Sequence, residues 1–110
     1  MIILDDPLYK SLATVFKMAH AQASKGKGKA RHEDDGVSFK HQDMCSTARS
    51  HGVGFTFGQA EKKLREASRM LDKNHHDKQS IIFAVVEALG AINYIAGGVI
   101  VLAEKHGMPR

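Results

Sequence analysis

Four cations fall within seven residues, Lys25, Lys27, Lys29 and Arg31, interleaved with Gly26, Gly28 and Ala30. Long charged side chains and glycine backbone N–H groups in that alternation can close around a phosphate. Glu33, Asp34 and Asp35 follow at once, so the run also reads as a solvated loop that cancels its own charge. It is not a P-loop, because the glycine-lysine-serine/threonine spacing is missing and no strand precedes it. A second glycine-rich run, His51 to Gly58, reads as a tight turn. Thr56 and Gln59 have capping-box spacing after it, which would put Gln59, Lys62 and Lys63 where the orphan N–H groups of a helix start attract an anion. A turn with a purely structural purpose has the same pattern.

Asn93 is the third feature. On a helix it shares a face with Val86, Leu89, Gly90, Ala96, Gly97 and Ile100, an amide set in an apolar wall. A buried amide must be paired, either across a helix interface, where it fixes register, or with a ligand. Seven histidines suggest a metal, but His75, His76 and Asp77 are adjacent and no His-x-x-x-His or Cys/His spacing occurs, so no metal and no cofactor is expected. Cys45 has His41 four residues before it and no other base, and reads as a buried thiol. A single cysteine allows no internal disulfide and the start carries no signal-peptide pattern, both of which suit the cytoplasm.

These residues must be held by helices. Asp6 can cap a first helix with Pro7 at its opening position, and Leu8, Leu12, Val15, Phe16, Ala19 and Ala23 repeat at three and four residues. Ser24 to Gly36 is a loop, and Ser38 to Ser50 allows a short helix with Met44, Cys45 and Ala48 inward. In the next helix Ala60, Leu64, Ala67, Met70 and Leu71 form an apolar stripe opposite Lys62, Lys63, Arg65, Glu66 and Arg69. With 110 residues, 43% hydrophobic and 25% charged, the chain fits one all-α domain, residues 1–110. The net charge of +4 favours anionic partners, while 6% aromatics and no tryptophan supply little for stacking many nucleic-acid bases.

The last helix is the most demanding. Capped by Asp77 and stopped at His106-Gly107, it runs about 29 residues, roughly 43 Å, against about 34 Å for a globule of this length. Between Ile81 and Ala103 its only strongly polar side chains are Glu87 and Asn93, so no face is set aside for water. A homo-oligomer, dimer or higher with a hexamer allowed, is the expected remedy. A membrane span is the rival; Glu87 inside the stretch opposes it at about 2.5–3.5 kcal/mol near a bilayer centre.

Three stretches taken together, Gly26-Lys-Gly-Lys-Ala-Arg-His32, Phe57-Gly-Gln-Ala-Glu-Lys-Lys63 and Leu89-Gly-Ala-Ile-Asn-Tyr-Ile95, resemble small phage proteins of the first Thoeris anti-defence family. The resemblance extends from Ala19 to Arg110. It implies a non-enzymatic oligomeric sponge in the host cytoplasm that sequesters a cyclic ADP-ribose signal, with cyclic di- or trinucleotides as further ligands. Carried over by position, it implies a pocket from Phe83 and Asn93 on the last helix, Arg110 beyond it and Arg31 from the basic loop. Phe83 would stack on a base, Asn93 would hydrogen-bond base or ribose, and the two arginines would pair with pyrophosphate. Lys25, Lys27, Gln59 and Lys63 join them as anion-site candidates from the two glycine-rich runs. Phe83 and Asn93 point about 80° apart on one helix, which favours a pocket shared between subunits. The alternatives are an all-α nucleoside triphosphate pyrophosphohydrolase, for which Glu61, Glu66 and Glu87 are scattered, and a small nucleic-acid binder using Lys62, Lys63, Arg65 and Arg69.

Overall fold

A computed structural model describes residues 5–25, 37–74 and 77–108, and among these every regular element is helical. The Asp6 side chain accepts the Leu8 N–H at 2.9 Å, and Pro7 opens a single 3-10 turn, Pro7–Tyr9, that runs into α1, Lys10–Lys25. The helix expected from Ser38 is divided. A 3-10 turn, Phe39–His41, comes first, then Gln42 extends (φ −72°, ψ 166°) and α2 follows, Asp43–His51. Ser38 makes no capping bond, whereas the Gln42 side chain donates back to the Val37 carbonyl at 3.2 Å and holds the chain out of the helix at that point.

Gly52, at φ +99°, makes the corner that an L side chain would resist. The glycine-rich turn ends there, because α3 starts at Gly54 and runs to Asn74. The capping box is therefore not formed. Thr56 lies in the first turns of α3, fully buried, with its hydroxyl donating to the Val53 carbonyl at 2.9 Å. Gln59, Lys62 and Lys63 stand too far along the helix to share an anion with its N-terminus. The last helix, α4, Lys78–Lys105, starts as expected: Asp77 accepts the Ser80 N–H at 2.8 Å. It stops in a Schellman motif, with Gly107 at φ +63°, the Gly107 N–H on the Glu104 carbonyl and the Met108 N–H on that of Ala103.

α4 is the axis on which the other three helices pack. α3 and α4 form an antiparallel hairpin in which Ser80, Ala84, Ala91 and Gly98 turn toward α3 and are nearly all inaccessible. The α3 stripe that meets them is Thr56, Ala60, Lys63 and Ala67, a half-step away from the predicted one. Leu64, expected inside, is 46% exposed, and Lys63, expected outside, lies in the interface. The exchange works because Gly90 leaves room for the Lys63 methylenes and Glu87 supplies a counter-charge. α2 lies along the far half of α4, where Cys45, Ala48 and Val101 are fully buried and Phe39, Met44 and Val53 pack against them. Arg49 closes this corner with a two-pronged bond to the Glu104 carboxylate, both at 3.0 Å, and a third to the Lys40 carbonyl. Among the described helices α1 rests on α4 alone, and it buries only Ala13 and Ala19.

The core is thin for a chain this apolar. Most of its members are alanines, while Leu8, Leu12, Phe16, Ile81, Ile82, Ile95 and Val99 are each between 43% and 88% exposed. The radius of gyration, 15.1 Å, exceeds the roughly 13 Å of a compact domain of this length.

Candidate ligand-binding face on the last helix

Phe83 and Gly90 lie nearly in line on α4, seven residues apart, while Asn93, three residues further, stands about 80° round the helix from Phe83 and roughly 15 Å along it. α1 covers the Asn93 side. There the Asn93 amide donates to the Ala19 carbonyl at 3.0 Å, and the Gln22 amide donates to the Val86 carbonyl at 3.1 Å. These two bonds run α1 antiparallel to α4 and bring its C-terminal end, with exposed Lys25, toward the Phe83 end of the flank. α3 covers the other side. The Lys63 ammonium is 3.7 Å from a Glu87 carboxylate oxygen and 5.8 Å from the centre of the Tyr94 ring, which Phe55 meets edge-on. A Cβ at Gly90 would stand 3.1 Å from the Lys63 side chain, so the glycine is what lets lysine lie across α4. Gln59 precedes Lys63 by one turn on the same edge of α3.

The arrangement brings four sequence-predicted residues, Phe83, Asn93, Lys63 and Lys25, to one side of α4, with Gln59 alongside. Arg31, Lys27 and Arg110 lie outside the described residues. Phe83 is 38% exposed and free to stack, as a ligand-facing aromatic must be. Asn93 makes the interhelical hydrogen bond expected of a buried amide, and makes it within one chain, to backbone. One N–H is used; an amide has a second N–H and an oxygen that accepts twice. Lys63 is not a loose cation, since Glu87 neutralises it, and any anion here would have to share it. Sequence reasoning missed Gln22, Glu87 and Tyr94 as neighbours of this face. Gln22 was detectable, because it interrupts the α1 apolar series one turn beyond Ala19.

The carboxylates of the hydrolase alternative do not converge. Glu61 pairs with Arg65 and Glu66 with Arg69 on the outer surface of α3, and Glu87 pairs with Lys63. The same pairs occupy three of the four cations on which nucleic-acid binding would draw, Lys63, Arg65 and Arg69. Among the described residues no three His, Cys, Asp or Glu side chains come close enough to hold a metal ion. Cys45 is fully buried with its thiol directed at the Gly97 carbonyl, and burial pushes its pKa above the ordinary value; His41 is exposed in the turn before Gln42.

Together these features define an all-α protein, a long apolar helix wrapped on three sides by shorter ones, with an aromatic, an amide and two lysines along one flank. No family model, curated protein or solved structure matches the chain.

Proposed function

We propose that this protein is an oligomeric sponge that binds a cyclic nucleotide signal, a cyclic ADP-ribose isomer or a cyclic oligonucleotide, and holds it without cleaving it. The observation that carries the reading is the succession of Phe83, Asn93, Lys63 and Lys25 along the part of α4 between α1 and α3, an aromatic surface for a base, an amide for base or ribose, Lys25 as a cation for phosphate and Lys63 as one shared with Glu87. The likeness of three sequence stretches to the first Thoeris anti-defence family supports the same ligand class. Arg31 and Arg110 would complete the phosphate contacts, from the chain itself or a neighbouring subunit. A binding protein needs only complementarity, and among the described residues of this flank no nucleophile is paired with a base.

Calorimetric titration with cyclic ADP-ribose isomers and cyclic dinucleotides, followed by chromatography of the released ligand, tests this. Tight binding with intact ligand recovered is the expected result. Phe83→Ala should weaken it at least tenfold without unfolding the protein, because Phe83 is already 38% exposed. Arg31→Ala should cost about 1.5–3 kcal/mol of binding through a lost charged hydrogen bond. Ligand turnover, or binding indifferent to both substitutions, would refute the reading.

A further inference from the structure

α4 carries a second stripe beside the one that meets α3. Ile81, Val85, Ala88, Ile92, Ile95, Val99 and Leu102 recur at alternating spacings of four and three, the heptad rhythm of a helix that packs lengthwise on another. No helix among the described residues covers it: Ile81, Val85, Ile95 and Val99 are between 41% and 55% exposed. α3 widens the face. In an antiparallel pair the matching edges adjoin, and Lys63 takes the Gly90 edge. Phe57 and Leu64, on the other flank of the α3 inner stripe and themselves 38% and 46% exposed, therefore border the uncovered stripe of α4.

We propose that this α3–α4 face docks on the same face of a second copy, with the two α4 helices antiparallel and crossing near Ile92. Self-complementarity singles out that occupant. About a midpoint at Ile92 the stripe is close to palindromic: Ile81 answers Leu102, Val85 answers Val99, and Ala88 answers Ile95. A twofold axis requires one patch to match itself reversed, and here aliphatic meets aliphatic at each level. The area is sufficient. The exposed parts of these side chains with Phe57 and Leu64 amount to roughly 600 Å² per copy, or about 1,200 Å² for the pair, the lower end of stable interfaces. The stripe holds no charge or amide that would recognise an anionic ligand. It also leaves the Phe83–Asn93 flank outside the seam, so the proposal stands or falls independently of nucleotide binding.

Sedimentation equilibrium of the full chain should show a dimer, or an even multiple of one. Val99→Glu should dissociate it to half the mass, with circular dichroism checking that the helices persist. Single-cysteine variants read the orientation, with wild type as the control for buried Cys45. Ile92→Cys should join two chains through a short bismaleimide, whereas Val99→Cys should not, because its copy would lie roughly 21 Å away along the seam. Cross-linking at both positions would mean parallel helices and overturn the arrangement. A monomeric wild type would overturn the seam itself, as would an oligomer that survives Val99→Glu but is broken by Leu12→Glu on α1. Monomer bound to phosphatidylcholine vesicles through this face would assign it to lipid instead. Loss of nucleotide binding with the dimer intact would count against the ligand reading alone.

Discussion

The Asn93 side chain is tied to the Ala19 carbonyl at 3.0 Å, across 74 residues of sequence, and with the Gln22–Val86 bond it is one of two polar links among the described residues that seat α1 on the long helix. α1 buries only two alanines, so these bonds decide where on α4 it rests. The amide proposed to meet a ligand is thus also a latch. Asn93→Ala should loosen α1, costing about 1 kcal/mol for the lost hydrogen bond. Hydrogen exchange should accelerate across residues 10–25 and stay unchanged in α2. Equal acceleration everywhere would mean that α1 is not a separately docked element.

Lys63 and Glu87 are interior partners, with side chains 23% and 12% exposed. Lys63→Met leaves a half-buried carboxylate without its counter-ion, and partial water access reduces the cost from that of a deeply buried pair to about 1–2 kcal/mol. The double variant with Glu87→Gln should recover part of the loss in urea denaturation. Additive single effects would show the two charges to be independent.

Glycines in the hairpin divide by what surrounds them. A Cβ at Gly98 would fall 2.5 Å from the Thr56 hydroxyl and 2.6 Å from the Phe57 ring, so Gly98→Ala must push α3 away, at about 1–3 kcal/mol. Gly58 is helical with open space where its Cβ would be, and Gly58→Ala should stabilise by roughly 0.5–1 kcal/mol. Thermal melts of the two variants should move in opposite directions.

Among the described residues, Asp77 and Cys45 are held away from their ordinary titration ranges and couple stability to pH. The Ser80 backbone N–H, followed by the Ser80 side chain, holds the Asp77 carboxyl below its ordinary range. A depressed carboxyl contributes stability that is present above its unfolded pKa and lost as pH falls through the folded one. Stability should therefore decline in acid, and less so in Asp77→Ala, which is weaker at neutral pH. Burial raises the Cys45 thiol above its ordinary value. Its contribution is complete below that value and is lost as pH rises through the folded pKa, so a Cys45→Ala variant should show a smaller alkaline loss. Native Cys45 should also resist thiol reagents until the protein unfolds.

Much was legible in the chain alone. The caps at Asp6 and Asp77, the stop at Gly107, the all-helical class and the surplus apolar surface of the last helix follow from local signals: a side-chain acceptor beside a free N–H, a glycine at positive φ, a count of apolar residues against the faces available. Periodicity could not choose the inner edge of α3, because stripes through Lys63 or through Leu64 satisfy the same helical spacing. The choice fell to contacts with α4, where Gly90 leaves room for the lysine methylenes and Glu87 pairs with its charge. Nor could the sequence tell that Thr56 is a buried helical residue rather than a cap, since the same hydroxyl serves either role until the Val53 carbonyl and Gly98 are brought to it. The partner of Asn93 belonged to tertiary structure for the same reason: an amide declares that it needs a hydrogen bond, and only the packing of α1 supplies the carbonyl.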